Sequence, residues 1–162
     1  MSKLIKIITS SKDVELKDKI LKFIKKVGDY AFGGNCGMFA IALAEILKRY
    51  NKDCNIVFCT NRDDEFEDEQ DPIQYFLYGE PDMYHVAIEI DGILYDGSGI
   101  INNSYLKNFV KEEYGRDYVC IDKLGYSSNK DNINKSVRYN TAYSNNPEAY
   151  IKEWDKLFKE NK

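Results

Sequence analysis

Residues 83–99 read MYHVAIEIDGILYDGSG, and this stretch decides the fold. Asp91-Gly92 stands between two runs of alternating apolar residues. Asp-Gly suits a two-residue hairpin turn, whose central residues both need positive φ. With that pair at the turn, Ile90 faces Ile93, Glu89 faces Leu94, Ile88 faces Tyr95, Ala87 faces Asp96 and His85 faces Ser98. Side chains alternate between the faces of a strand. His85, Ala87 and Glu89 therefore share a face with Leu94, Asp96 and Ser98. His85, the single histidine of the chain, becomes the diagonal neighbour of Asp96, about 7–8 Å away at the backbone. A slip of one residue would put the two on opposite faces.

Outward from the hairpin, helical and strand patterns fill much of the chain. VELKDKILKFIKKV, 14–27, has apolar residues at helical spacing with lysines opposite, and Gly28 can stop it. A helix over 36–50 carries Phe39, Leu43, Ile46, Leu47 and Tyr50 on one broad side. NIVFCT, 55–60, reads as a short buried strand. SYLKNFVKEEY, 104–114, reads as a helix with Ser104 as N-cap and Gly115 at its stop. DYVCIDKL, 117–124, reads as another strand. The polar, Asn-rich stretch after it is taken as a linker. In the last helix Asn146 is the cap and Pro147 the first helical residue, with Ile151, Trp154, Leu157 and Phe158 on one face. The pattern predicts one α+β domain over 1–162, a central antiparallel sheet of four to five strands with packed helices. Within it, 30–99 is a core segment, 61–84 an acidic insertion loop, and 125–162 a polar linker with the C-terminal helix.

The 162 residues suit a single domain. With 43% apolar residues and 13 tyrosines, the chain is of a globular kind. A net charge of −4 argues against a nucleic-acid backbone as partner, since that binding needs clustered Lys and Arg. No run approaches the roughly 18 apolar residues of a membrane span. The N-terminal MSKLIKIITSSKD lacks the apolar run and cleavage site of a signal peptide, so the expectation is cytoplasmic, with no membrane association. The four cysteines, Cys36, Cys54, Cys59 and Cys120, are then expected as thiols. Zinc is not expected without a C-x-x-C pair and with one histidine. The acidic run NRDDEFEDEQDP reads either as solvated surface or as a flap attracting a basic segment of a partner. It lacks the alternation of a calcium loop.

A histidine backed by a carboxylate is two thirds of a nucleophilic site. Cys36 is the candidate third. It follows Gly33-Gly34-Asn35 at the start of a predicted helix, where positive partial charge favours thiolate over thiol. Gly34 and Gly37 leave little bulk beside it for an approaching backbone. Each residue alone has an ordinary structural use: a sheet histidine as a hydrogen-bonder, a cysteine as a small hydrophobe, an aspartate at a strand end. Cys54, Cys59 and Cys120 are read as small buried hydrophobes.

C-G-M-F-A-I-A-L-A-E-I-L, a short strand, and then H-V-A-I-E-I-D-G-I-L-Y-D resembles the core of the papain-like and transglutaminase-like thiol enzymes. Y-A-F-G-G before N-C is similar to the NlpC/P60 branch. The resemblance covers about 30–99. It implies a cysteine-opened helix packed on an antiparallel sheet, with Cys36 as nucleophile, His85 as base and Asp96 as the orienting residue. Papain-like enzymes place a glutamine before the cysteine. No glutamine lies in 1–69, so the second oxyanion donor falls to Asn35 or Tyr30, beside the Cys36 N–H. The implied activity is that of a cysteine peptidase or amidase on a protein or peptide substrate, without metal or organic cofactor. Two alternatives stand beside it. One is a transglutaminase or glutamine deamidase using the same three residues. The other is a non-enzymatic acidic binding or inhibitor protein of the phage host-interaction kind.

Overall fold

The structure is a computed structural model and describes residues 10–31, 35–60, 83–140 and 146–159. The acidic run after Thr60 and the Gly33-Gly34 pair lie outside these residues. In chain order the elements are α1 (Ser11–Val27), a 3-10 turn (Gly28–Ala31), α2 (Cys36–Lys48), β1 (Asn55–Thr60), β2 (Met83–Ile90), β3 (Ile93–Asp96), β4 (Gly99–Ile101), α3 (Asn103–Tyr114), β5 (Cys120–Gly125), α4 (Tyr126–Asn140) and α5 (Pro147–Phe158). The five strands form one antiparallel sheet in the order β4-β3-β2-β1-β5. The architecture is α+β.

The hairpin has the register read from its sequence: Ile90 pairs with Ile93, Glu89 with Leu94 and Ile88 with Tyr95. Asp91 and Gly92 both have positive φ, 50° and 79°, as a primed turn demands. The strand alternation then sorts the sheet into two faces. Ile56, Phe58, Val86, Ile88, Ile90 and Tyr95 pack under α1, α2, α4 and α5. Val57, Cys59, Ala87, Leu94 and Ile101 pack under Leu106 and Val110 of α3. Helix α2 is apolar nearly all round because it is sandwiched between the sheet and the helices around it. Trp154 of α5 is fully buried, its ring edge-on to Phe23 at 5.2 Å. Among the described residues no helix is long and apolar enough to cross a membrane.

Several sequence expectations need correction. Residues 126–140, read as part of a polar linker, are helix α4. Among its described side chains the buried apolar ones are Tyr126, Ile133 and Val137, too sparse to raise a periodic signal above the Asn and Ser around them. The N-cap of α3 is Asn102, whose Oδ1 accepts from the Tyr105 N–H at 2.8 Å, and not Ser104. Gly115 does end α3, with φ 66°. Gly28 caps α1 in a right-handed conformation, so positive φ is not its role. A Cβ there would lie 2.1 Å from the Gly97 carbonyl oxygen. Gly28 is small because α1 abuts the turn that follows Asp96. Strand β4 was not read at all. Leu157, placed on the apolar face of the last helix, is exposed, and Tyr150 takes the buried position.

Candidate active site

The first half of β2 supplies the histidine. Strand β3 pairs with the second half of β2, over Ile88↔Tyr95, Glu89↔Leu94 and Ile90↔Ile93. On the other side, β1 pairs Cys59 with His85 and then Thr60 with Met83, making Tyr84 the extra residue of a bulge. Bulges re-aim side chains. Here Tyr84 and His85 both meet rings of α3: Tyr84 packs on Tyr114 at 5.0 Å and His85 on Phe109 at 4.7 Å.

Asp96 ends β3 and is as deeply placed as its partner. His85 is 2% and Asp96 1% exposed. Asp96 Oδ2 lies 3.0 Å from His85 Nε2. Its other oxygen accepts from the Ser98 N–H at 2.7 Å and the Ser98 hydroxyl at 2.6 Å. The carboxylate is therefore satisfied on both oxygens by donors, and His85 donates through Nε2. That leaves Nδ1 for the third member.

The third member is Cys36, the first residue of α2. Its side chain hydrogen-bonds the His85 ring and also receives the main-chain N–H groups of Val86 and Gly37. Burial by itself would push the thiol up. The imidazole hydrogen bond and charge, with the two N–H groups, outweigh it and hold the thiol below its ordinary value. The same contacts act on the histidine. Burial disfavours imidazolium, but the bonds to Asp96 and Cys36 win and push His85 up to about 9. Both shifts act in the direction of a thiolate beside an imidazolium. Cys36 is half-buried, whereas His85 and Asp96 are buried.

The other cysteines differ. Cys54 and Cys59 are buried, and burial pushes both thiols up to about 12. Cys120 is half-buried rather than buried, with its thiol 3.4 Å from Asp122 Oδ2. All four are free thiols.

Of the two residues expected to help an oxyanion, Asn35 lies at the helix start. Its carbonyl accepts from the Phe39 N–H at 3.0 Å, but its side chain makes no capping bond. Asn35 Oδ1 is buried and has no hydrogen-bond partner among the described residues. Tyr30 is 71% exposed, and its carbonyl takes the Tyr150 hydroxyl at 2.8 Å. Gly37 does not leave room for a substrate. A Cβ there would sit 2.4 Å from Val137 Cγ1, so the space is filled by α4.

Sequence reasoning missed Phe109, Tyr114, Tyr150 and the Val86 N–H. Tyr105 and Phe109, four apart, stack along one side of α3, and nothing local marks that side as the one that meets His85. Tyr150 is 120 residues from its partner, and nothing local announces such a contact. Among the described residues, no group of three His, Cys, Asp or Glu side chains is placed to hold a metal ion.

Comparison with protein-family models, with curated proteins and with solved structures finds no match.

Proposed function

We propose that this protein is a cysteine-dependent acyl-transfer enzyme with a papain-like or transglutaminase-like core, acting as a peptidase or amidase on a protein or peptide. The observation that carries the reading is His85, bonded through Nε2 to a buried Asp96 and through its other edge to a half-buried, acidified Cys36. A structural histidine needs no thiol with a lowered pKa beside it. Strongly perturbed, mutually coupled groups favour function.

In this reading Cys36 Sγ attacks the carbonyl carbon of the substrate. The Cys36 N–H, at the start of α2, faces the developing oxyanion, and Asn35 supplies the second donor from an amide not committed to capping. His85 gives its proton to the departing amine as the C–N bond breaks, leaving a thioester. Neutral His85 then takes a proton from water, which attacks the thioester and releases the acid and the Cys36 thiolate, with His85 protonated again. Asp96 holds the ring so that Nδ1 faces the sulfur throughout. An amine in place of water would give the transferase outcome, and a glutamine side chain as acyl donor the deamidase outcome.

The test is iodoacetamide alkylation of Cys36 against pH, read by peptide mass spectrometry, in the wild type and in His85→Ala. The wild-type profile is expected to rise well below the ordinary thiol range of about 8.5. In His85→Ala it is expected to move to that range or above, because burial then acts with less opposition. An ordinary or inert Cys36 in both chains would sink the enzyme reading and leave a binding protein.

A further inference from the structure

A shelf of rings continues outward from His85 along α3. The Phe109 ring lies 4.7 Å from that of His85, and the Tyr114 ring 6.4 Å from that of Phe109. Tyr114 also packs on Tyr84, the residue before His85, at 5.0 Å. Its hydroxyl donates to the Tyr84 carbonyl at 3.0 Å. The shelf is therefore anchored to the strand that carries the histidine, at both the ring and the hydroxyl.

Tyr114 is 49% exposed. Exposure of this size on a large ring whose only proton is already committed leaves an apolar face toward solvent. Burial, together with the negative charge of nearby Cys36, raises its phenol, so the ring stays neutral at working pH. A side chain already fixed at both ends loses little freedom when something packs on it. A rigid aromatic face beside a nucleophile suits a planar apolar group better than a charged one, since rings attract rings in offset or edge-on geometries.

We infer that Tyr114 is a specificity-determining residue of this site, and that its face takes an aromatic side chain next to the carbonyl attacked by Cys36. The inference rests on the acyl-transfer reading above and names its substrate class: protein or peptide segments with an aromatic residue at the acyl position. Phe109, wedged between Tyr114 and His85, sets the distance from that subsite to the imidazole.

The test compares two reagents on the full chain, the chloromethyl ketones of N-acetylalanine and N-acetylphenylalanine, whose methyl or benzyl side chain stands on the acyl side, with Cys36 alkylation read by peptide mass spectrometry. The readout is the ratio of the two rate constants. In the wild type the benzyl reagent is expected to react faster by about fivefold, the worth of one aromatic pair. Tyr114→Phe keeps the face and is expected to keep the ratio. Tyr114→Ala removes the face and is expected to bring the ratio near one. A reactive Cys36 without benzyl preference, or a preference that survives Tyr114→Ala, overturns the subsite alone. A Cys36 that resists both reagents in the wild type overturns the acyl-transfer reading and the subsite with it.

Discussion

His85 Nε2 and Asp96 Oδ2 stand 3.0 Å apart, and both residues are almost wholly shielded from water. Asp96 is the acceptor for three donors: this ring nitrogen and the N–H and hydroxyl of Ser98. An asparagine has the same shape but one acceptor oxygen. If that oxygen faces His85, the amide nitrogen meets the Ser98 N–H. If it faces Ser98, the amide nitrogen meets the ring. Asp96→Asn is therefore expected to leave a buried donor unpaired, at a cost of about 1–3 kcal/mol. It also removes the charge that holds His85 protonated, so the alkylation profile of Cys36 should shift upward in pH. Urea unfolding and the alkylation profile check the two effects separately. An unchanged profile would mean that Asp96 only braces the strand.

The single histidine gives one imidazole signal in a proton NMR titration. Its pKa is expected near 9 in the wild type, above the ordinary 6.5. A group raised on folding contributes its full stability below pH 6.5 and loses it as pH rises through about 9. Cys36 has the opposite sign. Its thiol is lowered from 9.0, so its contribution is complete above 9.0 and is lost as pH falls through the lowered value. The charged pair exists in the window between the lowered thiol and about 9. Cys36→Ala removes one of the two partners that raise the histidine, and the His85 midpoint should fall. A midpoint that does not move would separate the two residues chemically.

Gly28 and Gly97 touch across the molecule. A Cβ on Gly28 would lie 2.1 Å from the Gly97 carbonyl oxygen, a main-chain atom that no rotamer change can move aside. Gly97 follows Asp96 directly, and Ser98 follows Gly97. Gly28→Ala is therefore expected to cost about 1–3 kcal/mol as overpacking and to displace the turn that satisfies Asp96. A lowered urea midpoint together with an upward-shifted Cys36 profile is the expected pair of results. A lowered midpoint with an unmoved profile would confine the damage to α1.

The hairpin, and with it the meeting of His85 and Asp96, was legible because turn chemistry and a period of two fix a register without outside help. The start of α2 at Cys36 was legible from glycines followed by a run of good helix formers. What lay beyond reach depends on tertiary contact. The bulge at Tyr84 arises from the mismatch of two strands, and no residue type marks it. Helix α4 forms from a stretch of poor helix formers because Tyr126, Ile133 and Val137 find a core to bury in. Tyr30 was legible as a tyrosine near the cysteine, but not its exposure on the 3-10 turn that carries it. Gly28 and Gly37 were read by their local freedom, as a helix stop and as open space. Each is instead small because another part of the chain presses on it.

Gly37 and Val137 give the sharpest packing test. A Cβ on Gly37 would fall 2.4 Å from Val137 Cγ1, a side-chain atom, so the clash can be relieved by changing the partner. Alone, Gly37→Ala should cost about 1–3 kcal/mol as overpacking, despite the advantage of about 1 kcal/mol that alanine holds over glycine inside a helix. In a Val137→Ala background the overlap is gone, the new methyl fills part of the space vacated, and the helix advantage remains. There the same substitution is expected to be neutral or stabilising. The cycle should show a coupling above about 0.5 kcal/mol, which independent sites do not reach. The Gly37 N–H also reaches the Cys36 sulfur, so the alkylation profile of Cys36 should rise in Gly37→Ala and return in the double variant. Additive costs in urea unfolding would mean that α4 does not press on the start of α2 in solution.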